Sequence, residues 1–194
     1  MLKRLHLWDY AALWICGVLA GVLSGAVMNA IAGVISPEYF GFLFYMWGQS
    51  TTLSAWQIWL MGVGHGMLEG LVFGLVLATI FTLNVFVVSR ARCRFKFAAP
   101  YLPKMVGVAA ACWFVGGFNG VFVGLVAPHF MSDIFSIFRP SAFDRLRFLA
   151  VGGSIYGVYA GCLLSLIMGS LWFRKDWRTQ VKSEEEDFNN GNFQ

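Results

Sequence analysis

The sequence predicts an all-α membrane protein with four transmembrane helices, and three observations carry that prediction. Hydrophobic residues make up 58% of the 194, while charged residues make up 12%, about half the usual share in a soluble domain. Mean hydropathy is +0.67. Apolar runs at 11–35, 60–88, 105–127 and 148–173 each reach the ~20 residues a helix needs to cross hydrocarbon. A soluble fold of this length would leave too much apolar surface in water. The runs are continuous rather than alternating, which selects helices over barrel strands, and a helix satisfies its own backbone in lipid.

Each element follows in order. Lys3 and Arg4 precede the first run, which contains Ala30-Ile31-Ala32 and so has the outline of a signal peptide. It is too long for an h-region, and retention as a span is expected. The second run is overlong, and tilt or an interfacial start absorbs the excess. Arg90, Arg92, Arg94, Lys96 and Lys104 lie between the second and third runs, and Arg174, Lys175, Arg178 and Lys182 follow the fourth. The opposite side holds Arg139, Arg145 and Arg147, accompanied by Asp133 and Asp144. The positive-inside rule then predicts cytoplasmic N and C termini, with the chain in a bacterial inner membrane.

The two outer loops, 36–59 and 128–147, carry aromatic residues such as Tyr39, Phe40, Phe44, Trp47, Trp59, Phe130 and Phe138. Short interfacial helices on the membrane surface are expected there, or else a packed cover over the bundle. Pro37 and Pro128 read as stop signals just past helix ends. The tail from Lys182, KSEEEDFNNGNFQ, has little to bury and reads as disordered.

The two halves look like copies of one helical hairpin. Gly25 and Gly33 match Gly116 and Gly124, and Gly66, Gly70 and Gly74 match Gly153, Gly157 and Gly161. The division is a first repeat at 1–89, a basic linker at 90–104, a second repeat at 105–175 and an acidic tail at 176–194. Corresponding helices would run in the same direction, giving a parallel repeat. Glycines also recur every fourth residue, at Gly17/Gly21/Gly25, Gly66/Gly70/Gly74, Gly116/Gly120/Gly124 and Gly153/Gly157/Gly161. Each set is a smooth stripe on one helix face that allows close backbone approach. The plain reading is a tight four-helix core. The sharper one has a stripe facing a partner subunit or lining a narrow path.

One ionisable pair lies within a span. His65 and Glu69, four residues apart, share a helix face. Glu69 falls roughly 12 Å below the expected outer surface, where a charge costs a few kcal/mol. It must be protonated, paired or wetted. The plain reading is a neutral Glu69 hydrogen-bonded within the bundle, and the functional one is a proton or cation site. In the second repeat Gly152 and Tyr156 replace the pair, which nominates Tyr156 as donor to the carboxylate. Asn29 and Asn119, inside spans one and three, read as bonds between helices. His129 lies at the same end as His65, so a bis-histidine haem is conceivable, whereas His6 lies at the opposite end.

Cys16, Cys93, Cys112 and Cys162 form no CxxC and no metal-ligand spacing. No nucleophile–base arrangement or phosphate-cradling loop is present, and the localised +4 charge reads as orientation information rather than a nucleic-acid footprint. Ser36-Pro37-Glu38-Tyr39-Phe40, followed by Trp56 and Gly62/Gly66/Gly70, resembles a group of uncharacterised bacterial multi-pass membrane proteins with the same segment after an apolar helix. The resemblance covers roughly the first 80 residues and implies no activity. Members of that group carry a His-Asp-Gln ahead of the motif that is missing here. The leading expectation is a non-enzymatic membrane subunit without a cofactor, packed in the bilayer against other subunits or copies of itself. The alternatives are a small proton- or ion-coupled transporter or channel using Glu69 and His65, and a redox subunit binding haem or quinone.

Overall fold

A computed structural model describes residues 7–49, 53–127 and 141–189. Among these residues there is no strand. The helices are α1 (Leu7–Ile35), α2 (Pro37–Met46), α3 (Ala55–Ser89), α4 (Phe95–Ala98), α5 (Tyr101–Val126) and α6 (Ala142–Asn189). Four apolar helical stretches, Leu7–Ile35, Ala55–Ser89, Phe95–Val126 and Ala142–Glu184, are long enough to span a bilayer. The chain is a multi-pass helical membrane protein. Large apolar side chains such as Leu19, Leu23, Phe118, Phe122, Leu163 and Ile167 point outward from the bundle, as a hydrocarbon solvent permits and water does not.

The boundaries depart from the sequence expectation for identifiable reasons. Ser36 precedes a proline, which disfavours helical backbone, and it adopts φ −144°, ψ 90°. Pro37 therefore ends α1 and also starts α2, at the helix position where its missing N–H costs nothing. In the first outer loop, α2 forms a packed cover over one end of the bundle. Phe40 and Phe44 of α2 are buried against Ala32, Trp113, Val151 and Ile155, which gives those rings more contact than a half-immersed position would. α3 begins earlier than residue 60 because Ser54 and Gln57 form a reciprocal capping box, with Gln57 N–H donating to Ser54 Oγ at 3.3 Å and Ser54 N–H to Gln57 Oε1 at 2.8 Å.

At the other end of the chain, α6 runs as helix through Asn189, so residues 182–189 are helical where the sequence suggests disorder. The tail continues an already nucleated helix, which costs little per residue, and Gln180 Nε2 donates to Glu184 Oε1 at 3.3 Å across one turn. Pro128, His129, Phe130, Asp133, Phe138 and Arg139 of the second loop lie outside the described residues, as do Lys3, Arg4, His6 and the last five residues.

α1 packs chiefly on α3, and α5 on α6. Glycines sit at both contacts. A Cβ added to Gly21 would stand 2.8 Å from the Gly74 Cα, and one on Gly25 3.1 Å from the Gly70 Cα. On Gly17 it would meet the Ala78 Cβ at 2.8 Å, and on Gly66 the Asn29 Cβ at 2.7 Å. In the second pair, a Cβ on Gly116 would meet the Gly157 Cα at 2.8 Å, and one on Gly153 the Gly120 Cα at 2.9 Å. Gly161 faces the Ala109 Cα at 3.0 Å, and Gly124 the Leu149 side chain at 2.8 Å.

The two pairs meet along α3–α6 and, less extensively, α1–α5. Aromatic clusters occupy both ends of the bundle. At the end bearing the basic linker, Tyr10, Leu13, Phe81, Val85, Cys93, Tyr101 and Phe173 are buried together. At the other end the α2 cluster continues into Phe148 and Leu149, with Tyr39 packed against both groups. Burial pushes the Tyr39 phenol up to about 12 and the Cys93 thiol, in the linker, likewise up to about 12.

Candidate intramembrane polar site

The site begins with the spacing of two residues on α3. His65 and Glu69 are one helical turn apart, and His65 Nε2 lies 3.2 Å from Glu69 Oε1. Glu69 is fourteen residues from the first residue of α3 and twenty from the last, about 21 Å and 30 Å along the axis. The same oxygen accepts a 2.5 Å hydrogen bond from the Tyr159 hydroxyl of α6. A carboxylate from the first hairpin is thereby joined to a phenol from the second.

Aromatic rings fix both partners. Trp47 stands edge-on to His65 with ring centroids 4.9 Å apart, and Phe73 stacks on Tyr159 at 5.2 Å and 24°. His65 retains 13% of its side-chain exposure and Glu69 24%, so neither is sealed. Both belong to the half-shielded interior rather than to the lipid face.

Tyr156 is not the donor. It is 73% exposed and touches the site only through its ring, edge-on to Tyr159 at 6.3 Å. The expected duplication would set Tyr156 at the depth of Glu69, but depth does not fix azimuth. Tyr156 and Tyr159 are three residues apart and therefore ~60° apart around the helix, enough to turn one outward and the other inward. Tyr159 instead lies nearer the stripe of Val151, Ile155 and Ser165, whose side chains are buried.

Asn29 bonds across helices as its position suggests. Its Nδ2 donates to the Gly62 carbonyl at 3.2 Å, and it is 5% exposed. Nearby, Trp59 Nε1 donates to the Ala30 carbonyl at 3.0 Å. Asn119 does not do so. Its face of α5 is exposed, and among the described residues it has no hydrogen-bond partner. It lies three residues beyond buried Gly116, far enough around the helix to leave the contact with α6.

Between the hairpins runs a cavity of about 100 Å³, lined by residues of all four long helices, including Gly17, Gly21, Gly25, Asn29, Gly66, Glu69, Gly70, Gly74, Trp113 and Tyr159. Its wall is apolar apart from a few groups near Glu69. Trp113 is 5% exposed, and among the described residues its buried Nε1–H has no hydrogen-bond partner, an uncommon cost for a donor away from water. Sequence reasoning did not single out Trp113, because an apolar run gives no sign of which ring turns inward.

Each hairpin is also tied to the other near its ends. Arg147 of α6 donates through Nε to the Ile35 carbonyl and through Nη2 to the Val34 carbonyl at 3.4 Å. These are last-turn carbonyls of α1 with no helical partner. At the opposite end Arg174 donates to Asn84 Oδ1 at 2.8 and 3.1 Å, and within the second hairpin the Tyr101 hydroxyl donates to Asp176 Oδ2 at 2.6 Å. Among the described residues no three His, Cys, Asp or Glu side chains gather as a metal site would require, and His129 lies outside them. The arrangement can hold a proton between Glu69, His65 and Tyr159, but it offers no activated nucleophile. No family model, curated protein or solved structure matches the chain.

Proposed function

We propose that this chain is a small non-enzymatic subunit or interaction protein of a bacterial inner-membrane complex, with both termini in the cytoplasm. In this reading it is a duplicated helical hairpin whose glycine stripes set the packing within each copy. The supporting observation is that Glu69, the acidic side chain deep in α3, bonds inside the bundle to His65 and to Tyr159 of the other hairpin. A carboxylate engaged in this way acts as a clasp between the hairpins. The long apolar side chains outside the bundle, Leu23 and Phe118 among them, are then free to face lipid, other subunits or a second copy.

Purification in a gentle detergent or nanodisc, with mass spectrometry of what stays bound, tests the proposal. A stoichiometric membrane partner or a defined homo-oligomer is the expected result. A monomer that binds nothing overturns it.

A second reading is favoured by the cavity beside Glu69. A carboxylate and a phenol lining an interior space, with an imidazole paired to that carboxylate from outside the lining, are also the parts of a proton- or ion-coupled path. Glu69→Gln separates the two: a packing subunit retains its partner and function, whereas a coupled transporter stays folded and loses ion-dependent flux.

A further inference from the structure

At the linker end of the bundle a groove of about 1460 Å³ opens between the α3–α4 turn and the overhanging part of α6. Arg90, Arg92, Arg94 and Lys96 line one wall, and Arg178 and Lys182 the other. All six are exposed, and among the described residues none has an ion-pair partner. The one acid in the lining, Glu184, is hydrogen-bonded to Gln180. Phe97 and Trp177, edge-on to each other at 5.5 Å, also line it, so the groove joins an apolar part to a cationic one. Like charges brought together in this way repel until an anion enters.

α3 ends in a left-handed turn in which Arg90 and Ala91 have φ 51° and 60° and the Ala91 N–H donates to the Phe86 carbonyl at 2.9 Å, a common way for a helix to stop. That turn leaves Arg90 in the lining of the groove.

We propose that this groove binds the phosphate-bearing headgroup of an anionic phospholipid, with its acyl chains lying beside Phe97 and the apolar ends of α3 and α6. Two walls of cations suit a headgroup with more than one phosphate, and the location at the end of two membrane-spanning helices supplies the lipid. Basic pockets of this kind at helix ends recognise anionic headgroups. The inference does not depend on whether the protein is a subunit or a transporter.

The test uses the full chain in nanodiscs of phosphatidylcholine containing a minor fraction of cardiolipin or phosphatidylglycerol, followed by native mass spectrometry of retained lipid. Cardiolipin retained above its share of the bilayer is expected, and phosphatidylcholine is not. The combined variant Arg92→Gln/Arg94→Gln/Lys96→Gln, at exposed positions, should lower retention ~100-fold, at about fivefold per charge. Lys104→Gln/Lys175→Gln removes two cations near the same end but outside the groove and should change it little. Equal losses in the two variants would reduce the effect to general surface charge and overturn the proposal. So would inorganic pyrophosphate binding to the detergent-solubilised protein with no lipid preference in nanodiscs, which would assign the groove to a soluble phosphate. Enrichment of an acidic protein or nucleic acid in place of lipid would overturn it as well.

Discussion

At the scale of single residues, the bond from Tyr159 to Glu69 makes a discriminating prediction. Tyr159→Phe removes a hydrogen bond to a group already withdrawn from water, at a cost of ~1–2 kcal/mol. Thermal unfolding in detergent should occur several degrees lower. Tyr156→Phe alters a ring that faces outward and should leave the transition where it was. If the two variants behave alike, Tyr159 is not the clasp.

Cys93 gives a pH prediction. Burial raises its thiol from 9.0 to about 12, so folding favours the neutral form. This contribution is complete below about pH 9 and declines as pH rises from there toward 12. Maleimide labelling of Cys93 at pH 8 should be slow in the folded protein and fast once it is denatured.

Much of the candidate site could be read beforehand at this scale. The His65–Glu69 pair follows from a four-residue spacing, and Asn29 from its place within a span. The partner on α6 could not be read, because the rotation of one helix against another is decided by packing between chain segments far apart in sequence.

Helices and their contacts supply the next predictions. Gly70→Ala would bring a Cβ within 3.1 Å of the Val22 Cα and against the Gly21 carbonyl. The neighbours there are backbone and cannot swing aside. The helices must separate, at ~1–3 kcal/mol, which should appear as a lowered unfolding temperature. Gly64→Ala meets nothing within 4 Å and should be neutral or slightly stabilising, since alanine favours helix.

The four long helices were evident from hydropathy, yet their ends were not. Ser54 and Gln57 extend α3 beyond its apolar run through a polar cap, and α6 continues past residue 173 on helix propagation rather than on hydrophobicity. For α2 the sequence leaves a surface helix and a packed cover both open, because aromatic residues signal both a membrane interface and a buried ring. Only the placement of Trp113 and Val151 decides between them.

For the whole molecule, the polar ties between the two hairpins at Glu69, Arg147 and Arg174 can each be tested singly. Arg147→Gln weakens the tie to the carbonyls at the end of α1 and leaves Asp144, 3.6 Å from its guanidinium, without its cation. Cysteine pairs across the α1–α5 contact should then crosslink less efficiently than in the unaltered protein, while pairs within α1–α3 should not change.

The aromatic clusters at the two ends of the bundle have a further consequence. A molecule lodged midway between the hairpins finds rings above and below it, so its shortest escape is sideways, past the looser seam between neighbouring pairs and into the surrounding oil. Its exchange would therefore follow solubility in fat and bilayer fluidity more closely than aqueous concentration.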